Sequence, residues 1–128
     1  MSLLDKIFGT GGLDIHPQWK ILESESILEQ ALMDSHQKVV ALFKHSTRCG
    51  VSSTVMNRLI REWPFEKPDF DFYYLDLIRY RPISNRIAEE LDVHHESPQL
   101  IIVKNGKPVF DTSHFGITTE SLEKALDS

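Results

Sequence analysis

Apolar positions along the 128-residue chain change period several times, and each change predicts a new element. Residues 19–23, WKILE, read as a short edge strand. SESILEQALMDS at 24–35 reads as a helix: Ser26 and Glu29 fit a capping box, and Ile27, Ala31 and Leu32 share a face. KVVALFKH at 38–45 breaks that spacing, because Val39 to Phe43 is an almost continuous apolar run, the pattern of a central strand covered on both sides. Helical spacing returns just after Cys49. Val55, Leu59 and Trp63 fall on one stripe with Met56 and Ile60 beside it, and Pro64 ends the run. FDFYYLDL at 70–77 is a third strand, aromatic and partly alternating. Pro82 opens a helix whose buried face is Ile83, Ile87, Ala88 and Leu91. QLIIVK at 99–104 is a strand, Asn105-Gly106 a two-residue hairpin turn, and KPVFD at 107–111 the antiparallel return. Thr118 or Thr119 caps a last helix through Leu126, with Leu122, Ala125 and Leu126 facing inward.

The predicted order is β-α-β-α-β-α-β-β-α. One mixed sheet with helices on both faces buries all of these stripes, so the fold class is α/β and the arrangement is that of a thioredoxin-like domain. The glycines at 9, 11 and 12 and Pro17 set residues 1–18 apart as an N-terminal leader, leaving residues 19–128 as the single domain.

Composition narrows the function. Hydrophobic residues at 41% and charged residues at 26% describe an ordinary globular chain with no stretch of transmembrane length, so no membrane partner is expected. A net charge of -5 argues against nucleic acid, which requires a basic surface. The aromatic stretch at 70–74 is flanked by Asp69, Asp71 and Asp76, too acidic for a nucleic-acid platform. The amino terminus lacks a long apolar core of a secretion signal, which makes the cytoplasm the expected location. Six scattered histidines form no close His-x-x-His or His/Cys group, so no metal is expected. Composition leaves the oligomeric state open.

The single cysteine, Cys49, excludes an internal disulfide. Its predicted place, between a central strand and the next helix, puts it beside free backbone N–H groups and the positive end of the helix dipole, both of which favour thiolate over thiol. Arg48 and His45 are candidates to add positive potential there. A lone cysteine is also a common small core residue, and that alternative stands beside the reactive one. Ser52 and Ser53 have a structural explanation as N-cap groups. Ser52 cannot form a disulfide, so any exchange at Cys49 follows a one-thiol cycle. Pro98, directly before an apolar strand, reads on residues alone as a trans X-Pro bond. His95 and Glu96 precede it and are candidates to line the same cleft.

FKHSTRCGVS at 43–52, HESPQ at 95–99, KNGK at 104–107 and SHFGIT at 113–118 together resemble the monothiol bacilliredoxins, a thioredoxin-like family acting on bacillithiol mixed disulfides. The resemblance implies that Cys49 is the nucleophile and that Ser52 stands where dithiol relatives carry a resolving cysteine. It also implies that Pro98 is the cis-proline whose neighbour Ser97 orients the scissile bond through its backbone. Arg48 is implied as a partner for the carboxylates of bacillithiol. Gly50 replaces the proline usual in that family, and Phe115 and Gly116 stand where it more often carries tryptophan and an acidic residue. The implied function is a thiol-disulfide oxidoreductase that removes bacillithiol from S-bacillithiolated proteins through a Cys49 mixed disulfide. Its partners are then protein mixed disulfides and bacillithiol, or another low-molecular-weight thiol, as co-substrate, with no tightly bound cofactor. A non-catalytic thioredoxin-like adaptor and a thiol redox sensor are the alternatives.

Overall fold

A computed structural model describes residues 15–127. Of the leader read at 1–18, residues 1–14 lie outside the described residues, as does Ser128. Within 15–18, Ile15 packs on the core, His16 stacks near Trp19, and Gln18 accepts a 2.6 Å hydrogen bond from Trp63 Nε1.

The elements in chain order are β1 (Lys20–Ile21), α1 (Glu25–Asp34), β2 (Val40–His45), α2 (Gly50–Arg61), β3 (Asp71–Asp76) and α3 (Arg81–Leu91). They are followed by β4 (Gln99–Lys104), β5 (Lys107–Ser113), a 3₁₀ turn (His114–Gly116) and α4 (Thr119–Asp127). The sheet order is β1-β3-β2-β4-β5. β1, β3 and β2 run parallel, while β4 pairs antiparallel with β2 and with β5. No helix among the described residues is long and apolar enough to cross a membrane.

Burial explains why β2 reads as a continuous apolar run: all six of its residues are buried. Ala41 and Phe43 join the core with Val55, Leu59 and Leu122 of α2 and α4, whereas Val40 and Leu42 join the opposite core with Leu28, Ile83 and Ile87 of α1 and α3. Each fully buried Leu or Phe side chain stabilises the fold by about 1.5–3 kcal/mol. The hairpin forms as expected, with positive φ at Asn105 (52°) and Gly106 (73°), the backbone that Asn-Gly adopts at least cost.

Three local expectations are corrected. The cap of α1 is Ser24 rather than Ser26: its extended backbone lets Oγ accept from the Ile27 N–H at 3.2 Å, leaving Ser26 inside the first turn. Helix α2 stops at Arg61, short of Trp63, because Pro64 disfavours helical backbone at the residue before it. Strand β5 continues to Ser113, which pairs with Gln99.

Candidate functional site

Cys49 is the N-cap of α2, with extended backbone (φ -114°, ψ 121°), and it is partly exposed. Its N–H donates to the Ser46 carbonyl at 3.3 Å, and its own carbonyl accepts from the Ser53 N–H at 3.1 Å. No side chain caps the helix, and its first turn carries no acidic residue. Cys49 therefore stands at a helix end whose first N–H groups no side chain caps. It is not sealed in the core.

The loop carrying it is pinned from below. Ser52, fully buried one turn into α2, accepts from the Ser46 N–H at 3.0 Å, and its Oγ lies 2.7 Å from His45 Nδ1. Ser46 Oγ in turn accepts from the Arg48 N–H at 3.3 Å. This corrects two expectations. Ser52 does not cap α2; it ties the helix to the preceding loop. Nor does His45 supply positive potential: burial pushes its pKa below 6.5, outweighing the charge of Asp76 and the bond to Ser52, so the ring is neutral near pH 7. Arg48 and Gly50 are both exposed, and a Cβ at Gly50 would meet nothing within 4 Å.

Sheet register brings three loops to one edge. Lys44 of β2 faces Gln99 of β4. Residues after His45 and residues before Gln99 therefore leave the sheet at the same end. The Ser97–Pro98 bond is cis, with Ser97 partly exposed and Pro98 buried. The third loop is the 3₁₀ turn, held to the second by the His114 N–H donating to the Pro98 carbonyl at 3.1 Å. Arg58 of α2 donates to the carbonyls of Phe115 at 3.4 Å and Ile117 at 3.2 Å, tying that turn to the helix headed by Cys49. Phe115 is left 58% exposed, an apolar ring beside the same edge. A Cβ at Gly116 would meet the Thr112 hydroxyl, which would have to move to admit it.

Sequence reasoning passed over Lys44 and Gln99. Both are buried, and both reach the segment ahead of Pro98. The available signal was a lysine closing an apolar run and a glutamine opening another.

Comparison with known proteins agrees with this geometry. A family model described as "Monothiol bacilliredoxin BrxC" matches residues 20–122. A solved protein described as a candidate oxidoreductase with a thioredoxin fold is 31% identical, superposes with a TM-score of 0.69, and covers 84% of this chain and 93% of its own. Thioredoxins of Malassezia sympodialis and Fasciola hepatica share the fold at lower identity. The first has 19% identity and a TM-score of 0.64, over 90% of this chain and 93% of that one. The second has 15% and 0.66, over 84% of this chain and 96% of that one. Its fold is thioredoxin-like, its chemistry that of a thiol redox protein, and the chain belongs to the monothiol bacilliredoxin family.

Proposed function

We propose that the protein is a monothiol oxidoreductase that removes bacillithiol from S-bacillithiolated proteins, with Cys49 as the exchanging group. One observation carries the reading: the chain's single cysteine stands partly exposed at the bare amino end of α2. The residue three positions on, Ser52, is a buried hydroxyl with no capacity to resolve a disulfide internally.

In the first step the Cys49 thiolate attacks the bacillithiol sulfur of the mixed disulfide. A Cys49–bacillithiol bond forms, the client sulfur leaves as thiolate, and it takes a proton from solvent. In the second step the thiolate of another low-molecular-weight thiol attacks the bacillithiol sulfur on Cys49. This regenerates the Cys49 thiolate and yields the disulfide of the two small thiols. The client cysteine is reduced and the small thiols are oxidised, so electrons balance without a bound cofactor. Attack requires an ionised, reachable sulfur aligned with the breaking bond. Cys49 stands at the uncapped helix end, the Ser97 backbone orients the disulfide, and Arg48 pairs with substrate carboxylates. The reading places the protein in the cytoplasm, where small thiols remain reduced.

Purified protein is mixed with a client modified by bacillithiol, glutathione or coenzyme A, and intact masses are followed with time. Repeated release of free client from the bacillithiol substrate, passing through a Cys49 adduct and abolished in Cys49→Ser, is the expected result. Capture of one equivalent without turnover would leave a sensor or adaptor in its place.

A further inference from the structure

Lys44 and Gln99 face each other across the antiparallel β2–β4 pair, and both are 0% exposed. Polar side chains in a sheet interior pay desolvation that aliphatic residues of similar size avoid. Here both are committed to one short segment. Lys44 Nζ lies 3.2 Å from His95 Nδ1 and donates to the Ser84 carbonyl of α3 at 3.1 Å. Gln99 Nε2 donates to the His94 carbonyl at 2.9 Å, and its Oε1 accepts from the Glu96 N–H at 3.4 Å. Three consecutive residues, His94, His95 and Glu96, are thus gripped from the two strands that define the site edge. Ser97 and Pro98 come next.

The chemistry of the grip is directional. An ammonium only donates, so His95 Nδ1 is the acceptor and the proton of the neutral ring sits on Nε2. Burial, then the positive charges of Lys44 and of Arg81 on α3, hold the His95 pKa below its ordinary value; Glu96 opposes this and His94 adds to it. Protonation of His95 would turn Nδ1 into a donor facing the ammonium. No ion pair among the described residues joins Lys44 to a carboxylate; Lys44 Nζ meets the Ser84 carbonyl and His95 Nδ1, and Ser84 Oγ lies 3.4 Å from that same ring nitrogen.

We propose that Lys44, together with Gln99, is a positioning residue for thiol exchange, holding residues 94–96 so that the Ser97–Pro98 backbone meets the Cys49 loop in one fixed arrangement. The proposal rests on Cys49 being the exchanging thiol. Neither side chain touches substrate; both act through the segment they hold.

Wild type, Lys44→Met and Gln99→Leu are compared on a bacillithiolated protein from about pH 5.5 to 8, a range spanning histidine titration. Both turnover and single-event formation of the Cys49 adduct are read. We expect a KM, or half-saturating concentration for capture, raised about tenfold in Lys44→Met, with kcat and Cys49 alkylation by iodoacetamide within about twofold of wild type. Wild-type KM should rise on acidification, and Lys44→Met should flatten that rise. Folded variants with unchanged KM and an unchanged pH profile would overturn the proposal. Nitrogen NMR of the wild-type His95 ring keeps it exposed to failure even if a variant does not fold, since a proton found on Nδ1 near pH 7 removes the contact on which it stands. A wild type that neither turns over nor captures the substrate would remove the functional reading instead, whereas amide exchange over 94–97, expected to accelerate in Lys44→Met, still decides the grip.

Discussion

Ser52 Oγ lies 2.7 Å from His45 Nδ1 and simultaneously accepts from the Ser46 N–H. One side chain therefore ties together the strand end and the turn leading to Cys49. Ser52 is thus a structural hydrogen-bonding node beneath the Cys49 loop.

Ser52→Ala should destabilise the protein by about 1–3 kcal/mol, because it strands a buried N–H and a buried ring nitrogen. Denaturant unfolding measures this. Ser52→Cys should instead permit an internal disulfide with Cys49 on oxidation, seen as loss of the free thiol with no change in oligomer mass.

Acidification should destabilise the native state through one buried histidine, His45, and two partly buried ones, His16 and His95. Burial lowers the folded-state pKa of His16, His45 and His95 below 6.5. Between that unfolded value and the lower folded ones, the unfolded chain binds more protons. Stability is therefore fully present above about pH 6.5 and declines as pH falls below it. Thermal unfolding from neutral to mildly acid pH reads the slope, and His45→Gln should reduce it.

Lys44→Met removes the desolvation cost of a buried ammonium but strands the Ser84 carbonyl and His95 Nδ1, so the two effects oppose and stability near pH 7 should stay within about 2 kcal/mol of wild type. Burial, then Arg81, pushes the Lys44 pKa down to about 8 from 10.5. Between those values the unfolded chain holds the proton that the folded chain has released, so wild-type stability rises with pH across that window. Met does not titrate, so the stability difference should move in favour of wild type over the same window. A higher KM at little-changed stability separates a positioning role from a merely structural one.

Gly50→Ala should stabilise the fold by about 0.5–1 kcal/mol, since a helical glycine gives the unfolded chain excess freedom and a Cβ here meets nothing. Equilibrium unfolding checks it. Gly116→Ala should gain less than Gly50→Ala, because its Cβ obliges the Thr112 hydroxyl to move.

Arg48→Gln should weaken turnover of an acidic thiol by up to about fivefold while leaving a neutral thiol unaffected. That is the scale of a single exposed charge pair. Equal losses on both substrates would reject pairing with carboxylates.

The sequence by itself determined the order of strands and helices, the hairpin at Asn105-Gly106 and the place of Cys49 at a helix start. Each of these follows from neighbours within a few positions: an apolar run, a helical stripe, a turn dipeptide. Local signals failed where two neighbouring hydroxyls competed, as at Ser24 and Ser26, because either can satisfy the same N–H groups until the chain's entry angle is fixed. Only the tertiary structure decided that Ser52 serves the loop instead of the helix cap, and that His45 is neutral. Only the β2–β4 register showed that Lys44 and Gln99 grip the segment before Pro98. Those properties depend on partners far away in the chain and on the exclusion of water, which sets both the charge state of a buried group and the worth of its hydrogen bonds.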